Sequence, residues 1–232
     1  MYSLALASTY QGIQVALFQH DSCLIMKDME KQQASKQIII ALGDMLQEYN
    51  LTMHDITFCV VKRGPSPFTT LRTTLATVQG LQAATNVAIV GIDGLHALVY
   101  AYYQPATTLL VVQNAFGGDV YYALAQSTKQ IQTGYYSLEQ LLLWLATISS
   151  SQPLHIIGNA LPLYEHQIRH AVAHLTTIFS AQIIDHCPII KLWELGYTQW
   201  KAGAIEDGPI MPLYLKKPPV FIPKQNPKSP TI

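Results

Sequence analysis

The chain is short of charge. Lysine, arginine, aspartate and glutamate make up 12% of its 232 residues, and the two signs cancel to a formal net charge of zero. A basic footprint able to hold nucleic acid unaided is missing at the whole-chain level. Cysteine is also scarce: Cys23, Cys59 and Cys187 are an odd number without a Cys-x-x-Cys pair. That argues against a disulfide framework or a zinc knuckle. Reduced cytoplasmic surroundings are expected, with Cys59 a small core residue inside an apolar run. No basic region precedes the first apolar stretch, which Gln11, Gly12 and Gln14 interrupt, so no signal peptide is expected. Apolar runs long enough to span a membrane are missing too, and no membrane role is expected. What the chain has in plenty is apolar residues: half of it is hydrophobic. That suffices for a large core and is too much for a disordered chain.

The residues 62–72 organise the rest. An apolar run, Ile56 to Val61, enters this stretch and a helical pattern, Thr69 to Ala84, leaves it. The Gly and two Pro between them predict a strand, a stiff turn and a helix. Ser66 or Thr69 is the expected helix cap. On turn chemistry alone this is a structural βα turn; an anion or partner site at the helix N-terminus is the sharper alternative.

Before it, Leu4 to Ala7 and Ile13 to Phe18 predict a β-hairpin, with a third strand near Cys23 to Met26. Ser35 to Tyr49 predicts an amphipathic helix with Ile38, Leu42, Met45 and Tyr49 on one stripe, Ile39 and Leu46 beside it, and Asn50 as its stop. In the helix from Thr69, Leu71, Leu75 and Val78 share a face, while Ala76, Gly80, Ala83 and Ala84 keep it slim. Val87 to Ile92 reads as a buried strand, and Asp93 as the cap of a helix reaching Tyr103. Asp93 and His96 lie one turn apart, but no nucleophile motif stands near them.

Pro105 marks the expected joint between an N-terminal half, 1–104, and a C-terminal half, 105–217. Leu109 to Gln113 and Val120 to Ala125 predict a second hairpin around Gly117-Gly118-Asp119. Leu138 to Ile148 reads as a helix with Leu141, Leu142 and Leu145 inward, Leu154 to Ile157 and Ile183-Ile184 as strands, and Ile189 to Trp200 as a helix. His166, His170 and His174 repeat every four residues on one expected helix, where a metal could bridge a pair. No carboxylate or cysteine completes a set, so a solvated face is expected and no metal site. The residues 218–232, rich in Pro and Lys, read as a mobile tail. Lys216, Lys217, Lys224 and Lys228 offer at most a weak phosphate contact.

Arg63-Gly64-Pro65-Ser66-Pro67-Phe68-Thr69-Thr70-Leu71-Arg72 resembles the RGPGSFTGxR signature of the bacterial TsaB (YeaZ) family. Arg63, Gly64, Pro65, Phe68, Thr69 and Arg72 match; Ser66, Pro67 and Thr70 replace Gly, Ser and Gly. Further similarities follow in order. Gln79-Gly80-Leu81 resembles QGLA, and Gly91-Ile92 with Leu95-His96-Ala97-Leu98 resembles GVSTLxAL. The residues 114–121 resemble DARxGEVY, and Pro212-Leu213-Tyr214-Leu215-Lys216 resembles PVYLR. The resemblance implies an α/β protein of two similar halves with the actin-like ATPase and sugar-kinase fold, each a mixed sheet with packed helices. It also implies a role in forming threonylcarbamoyladenosine beside the tRNA anticodon, as a non-catalytic partner of a TsaD-type transferase. A TsaE-type ATPase is a further implied partner, tRNA would be met only through the complex, and a homodimer is implied when the chain is alone. The implied interface comprises Ile38, Leu42, Met45, Leu71, Arg72, Leu75 and Val78.

In related ATP-using enzymes the first hairpin turn cradles phosphates and an Asp organises the metal. Here Ala7 stands where the family commonly has Asp, Asn114 replaces a second Asp, and one glycine, Gly158, remains of a Gly-rich turn. No cofactor is therefore expected. An ATP-binding enzyme of the same fold, using ATP and magnesium between Thr9–Gly12 and Phe116–Asp119, is the alternative. A peptidase is a third reading, without a nucleophile–base set behind it.

Overall fold

The computed structural model describes residues 1–216, and the tail expected at 218–232, with Lys217, Lys224 and Lys228, lies outside them. A meander of β1 (Tyr2–Ser8), β2 (Gly12–Gln19) and β3 (Ser22–Glu30) opens the chain. Then follow α1 (Ala34–Glu48), β4 (Ile56–Gly64), α2 (Phe68–Thr85), β5 (Ala88–Asp93) and α3 (Gly94–Tyr102). The series then repeats as β6 (Thr108–Asn114), β7 (Asp119–Ala125), β8 (Ile131–Ser137), α4 (Leu138–Leu145), β9 (Leu154–Ile157), α5 (Leu161–Ala171), β10 (Thr177–Phe179) and α6 (Ile189–Lys201). The strand orders, β3-β2-β1-β4-β5 and β8-β7-β6-β9-β10, are the same in the two halves. In each, an antiparallel meander is extended by two parallel strands. The expected duplication of mixed sheets is thus present strand for strand.

Helices cover both faces of the sheets, so the central strands read as continuous apolar runs. On β1, Leu4 and Leu6 face α1 and α2, while Ala5 and Ala7 face the middle of the molecule. The layers run α1 and α2, first sheet, α3 and α6, second sheet, α4 and α5. The middle layer holds the halves together. There Trp193 stacks on Phe18 with centroids 4.5 Å apart and on Tyr197 at 5.0 Å, and its Nε1 donates to Ser3 Oγ at 2.8 Å.

Several expectations need correction. The boundary between 1–104 and 105–217 follows the sheets but not the packing. From Ile189 onward the chain returns to the first half, with α6 against β1, β4 and β5, and Ile210 enters the core under α1 and α2. Ile183-Ile184 is not a strand: the strand there is β10, and Ile183 lies exposed in the loop before α6. β8 was not assigned from sequence. The helix carrying His166 and His170 ends at Ala171, so His174 lies beyond it and contacts the Ile148 carbonyl through Nε2 at 3.0 Å. α2 is not capped by Ser66 or Thr69. Pro67 occupies that place without a side-chain cap, and Ser66 Oγ turns back to the Ser8 carbonyl at 3.1 Å.

The largest correction concerns the implied interface. Ile38, Leu42, Met45, Leu71, Leu75 and Val78 are all buried in the core between the first sheet and its two helices. Their helical periodicity records attachment to β1, β2 and β4, which leaves a partner nothing to touch. Arg72 alone of the seven is exposed.

Candidate functional site

The signature turn follows the edge where β4 ends. Gly64 has φ +121°, a conformation that favours glycine, and an added Cβ would lie 3.0 Å from the Leu213 carbonyl oxygen. The close approach exists because the chain's own C-terminal segment lies against the turn. Leu213 N donates to Arg63 O at 2.8 Å. Arg63 Nε donates to Met211 O at 3.0 Å, and its Nη1 reaches Glu206 Oε1 at 3.2 Å. Gln79, in the helix that follows, donates through Nε2 to Ile210 O at 2.7 Å. Arg63 and Gly64 are therefore occupied in clamping residues 206–213.

Phe68 and Arg72 lie one turn further on. The Arg72 guanidinium sits 3.6 Å from the Phe68 ring centroid. Its Nε donates to Tyr214 Oη at 3.2 Å, and Tyr214 stacks beside Phe68 at 5.9 Å. Two residues later, Lys216 Nζ pairs with Asp119 Oδ2 at 2.6 Å and donates to the carbonyls of Ala115 and Phe116. Burial works to raise the Asp119 carboxyl, but the bonds from Lys216 and Tyr135 outweigh it and hold the group below the usual carboxylate range. Three segments far apart in sequence, 63–72, 114–121 and 212–216, thus meet around one cleft of about 410 Å³.

The floor of the cleft is where the two hairpin turns touch. Tyr10, from the β1–β2 turn, donates its hydroxyl to Asn114 O at 2.5 Å. Asn114 N donates to Asn159 Oδ1, and Asn114 Oδ1 accepts from Phe116 N, both at 2.8 Å. Burial raises the Tyr10 phenol well above its ordinary value, so it remains a donor. The position expected to lose cation binding therefore has its side-chain oxygen committed to a turn. Ala7 is buried in the sheet, facing Gln14 across the ladder.

Lys62 was missed from sequence. It follows Phe58 and Val60 on the inner face of β4 and is only 4% exposed. Burial drives its pKa down to about 8, against the opposing pull of Cys187, Asp185 and Asp93. Its place at the end of an apolar run, alternating with buried residues, was the signal available. Asp185, His186 and Cys187 are consecutive, and His186 Nδ1 contacts Asp185 Oδ1. They do not form a nucleophile set: burial pushes the Cys187 thiol up to about 12, leaving it protonated and inert. Asp93 caps α3 by accepting from the amides of Leu95 and His96, as expected. Among the described residues no group of three or more His, Cys, Asp or Glu is arranged to hold a metal. No helix among them is long and apolar enough to cross a membrane.

Residues 28–201 match the family model described as TsaD: tRNA N6-adenosine threonylcarbamoyltransferase. No curated protein matches the sequence at a significant level. Among solved structures, the fold is similar to an uncharacterized protein with similarity to peptidase YEAZ from Pseudomonas aeruginosa. That match has a TM-score of 0.71 and 18% identity over 93% of this chain and 99% of the other. YeaZ from Pseudomonas aeruginosa gives 0.70 and 18%, over 92% and 99%. The overlap carries the two-halved actin-like fold across nearly the whole length of both chains. The family match over three quarters of the sequence, on this fold, makes the chain a TsaB/YeaZ-like member of the TsaD family, with a role in the synthesis of threonylcarbamoyladenosine on tRNA.

Proposed function

We propose that the chain is a non-catalytic partner of a TsaD-type threonylcarbamoyl transferase, docking through the outward faces of α1 and α2. The observation that carries this is what those neighbouring helices leave in solvent. Ile39 and Ile40 on α1 are 58% and 62% exposed. Gly43 on α1 and Gly80 on α2 have open space where a Cβ would stand, and Ala76, Ala83 and Ala84 are exposed beside Gly80. Glycine inside a helix costs about 1 kcal/mol relative to alanine, and nothing among the described residues packs against either one. A closely approaching partner supplies the reason, since small residues let a second surface come near the helix backbone. This replaces the buried Ile38, Leu42, Met45, Leu71, Leu75 and Val78 as the contact set and keeps their two helices.

The absence of a catalytic role is supported by the cleft floor. The contact of Tyr10 with Asn114 closes the gap between the hairpin turns, where ATP-using relatives would place phosphates. Ala7 offers no carboxylate there. The pairing is tested by mixing the chain with the TsaD-type protein of the same organism and measuring mass by light scattering after size exclusion. A mixed complex is expected, and Ile40→Asp or Ala76→Arg should weaken it at least tenfold without changing the melting temperature by more than a few degrees. Gly80→Ala should stabilise the isolated chain by about 0.5–1 kcal/mol and weaken the complex. Two folded proteins that remain separate at high concentration would sink the proposal. A TsaE-type third subunit is tested in the same column run, and a homodimer by running the chain alone.

A further inference from the structure

The described residues end at Lys216, and Lys216 is itself part of the cleft wall. Its ammonium is fixed to Asp119 and to the carbonyls of Ala115 and Phe116. The chain therefore leaves the fold at the rim of a cavity of about 410 Å³. What that rim exposes is apolar. Phe116 is 52% exposed, and its one ring neighbour among the described residues is Tyr10, tilted at 5.9 Å. Phe116 also holds φ +58°, a left-handed backbone that a bulky residue adopts at a cost. Another part of the wall is already built: Arg72 covers one face of Phe68, and Tyr214 stacks beside it. Even so, Phe68 remains 52% exposed and Tyr214 43%. Scattered exposed apolar residues need no explanation, but rings that converge on one cavity do.

The sequence beyond Lys216 supplies an occupant. Pro218-Pro219-Val220-Phe221-Ile222-Pro223 is an unbroken apolar stretch with Lys217 and Lys224 at its ends. Each proline fixes φ, which lowers the entropy such a segment loses on docking. Aromatic-lined grooves are the usual receptors of extended proline-rich segments. No acidic residue follows Lys216, and the cleft already carries the cations of Arg72 and Lys216. The apolar stretch, not its lysines, is therefore what this surface attracts. Reach is no obstacle. An extended segment of this kind advances about 3.1 Å per residue, so Phe221 can lie anywhere within about 15 Å of Lys216. Lys216 Nζ binds the Phe116 carbonyl at 3.1 Å, which puts Phe116 well inside that span.

We propose that the cleft is the docking site of the chain's own segment Pro218–Pro223, with Phe221 seated against Phe116. The segment is a strap across the signature turn and the β6–β7 turn, and any outside occupant of the cleft must displace it. A weak contact suffices. A short tether gives an effective concentration on the order of millimolar, so an intrinsic Kd of about 0.1 mM keeps the strap seated roughly nine-tenths of the time.

The test uses the full chain alone. The Ile222 δ1 methyl, labelled with carbon-13 and assigned through Ile222→Leu, should lie upfield of its position in urea, because a methyl above an aromatic ring is shielded. Phe116→Ala and Phe221→Ala should each return it to the unfolded position. The circular dichroism spectrum of Phe116→Ala should be unchanged, since that ring lies at the surface. Chymotrypsin should cut after Phe221 about tenfold faster in Phe116→Ala than in the parent, as cleavage tracks the undocked fraction. Both readings should hold on dilution. Protection lost on dilution places the segment in a second copy's cleft and overturns the proposal. So does an Ile222 methyl at its unfolded position in the parent, or equal cleavage of the two proteins. The partner surface is read separately at Ile40 and Ala76, so failure in the cleft leaves that assignment standing.

Discussion

Replacing Lys62 by methionine stabilises the protein at pH 7 by about 3 kcal/mol, the free energy corresponding to its displaced pKa. The ammonium sits on the inner face of β4, 4% exposed, and burial brings its pKa to about 8 from 10.5. Below pH 8 the group is protonated in both folded and unfolded chains, and the folded state carries the whole cost of the buried charge. Between about 8 and 10.5 the folded protein releases the proton while the unfolded chain keeps it. The unfolded state then binds more protons, so stability rises with pH through this window. Methionine removes the charge and keeps the volume. Its advantage should be full at pH 7, shrink above pH 8 and be largely gone near pH 10.5. For a chain of this size the gain at pH 7 corresponds to a rise in Tm on the order of 5–10 °C. Urea unfolding of both proteins at pH 7 and pH 10 measures it. Equal stability at pH 7 would mean that the attraction of Asp185 and Asp93 cancels the burial cost.

The second large effect is expected at Trp193. Trp193→Ala removes two stacked contacts and the bond to Ser3 Oγ, and it does so where α6 joins the first sheet. Truncating a buried large aromatic costs about 3–5 kcal/mol, a large share of the stability of an ordinary domain. A loss of unfolding free energy in urea of less than a third of that would show that the sheet and α3 hold without α6. The same packing predicts that residues 1–104 expressed alone remain unfolded by circular dichroism, because the inner face of their sheet loses α6. A folded fragment would contradict the role assigned here to α6.

Much of this architecture was legible in the sequence, for a physical reason. Phe58 to Val61 and Leu109 to Gln113 are buried on both faces, and such strands appear as apolar runs bounded by turn residues. The repetition of hairpin, helix and strand made the two halves visible. β8 was overlooked because Ile131–Ser137 is only half-buried and contains Gly134 among polar residues. The symmetry with β3 was the signal that could have placed it. Periodicity also misled. Ile38, Leu42 and Met45 form a true stripe, but a stripe shows only that a face is covered. The sheet of the same chain covers it. Exposed Ile39 and Ile40, outside or beside that stripe, are the residues periodicity discounts. The cleft was half visible: the 63–72, 114–121 and 212–216 segments were each singled out, yet their meeting depends on a chain return that no local pattern encodes. By sequence Lys62 opens the turn; in the structure it is an inward residue near the end of β4.

The return of α6 to the first half also sets an order of events during synthesis. The first sheet is complete once β5 has emerged from the ribosome, at Asp93, but its inner face waits for α6, which ends at Lys201. At ordinary elongation rates of about 5–20 residues per second, that interval lasts roughly 5–20 seconds. During it Phe18, Phe58 and Val60 have only α3 to shelter them. A nascent chain of this design is therefore most exposed to chaperone capture and misassociation in the middle of its translation, and slow codons between β6 and α6 would lengthen that period.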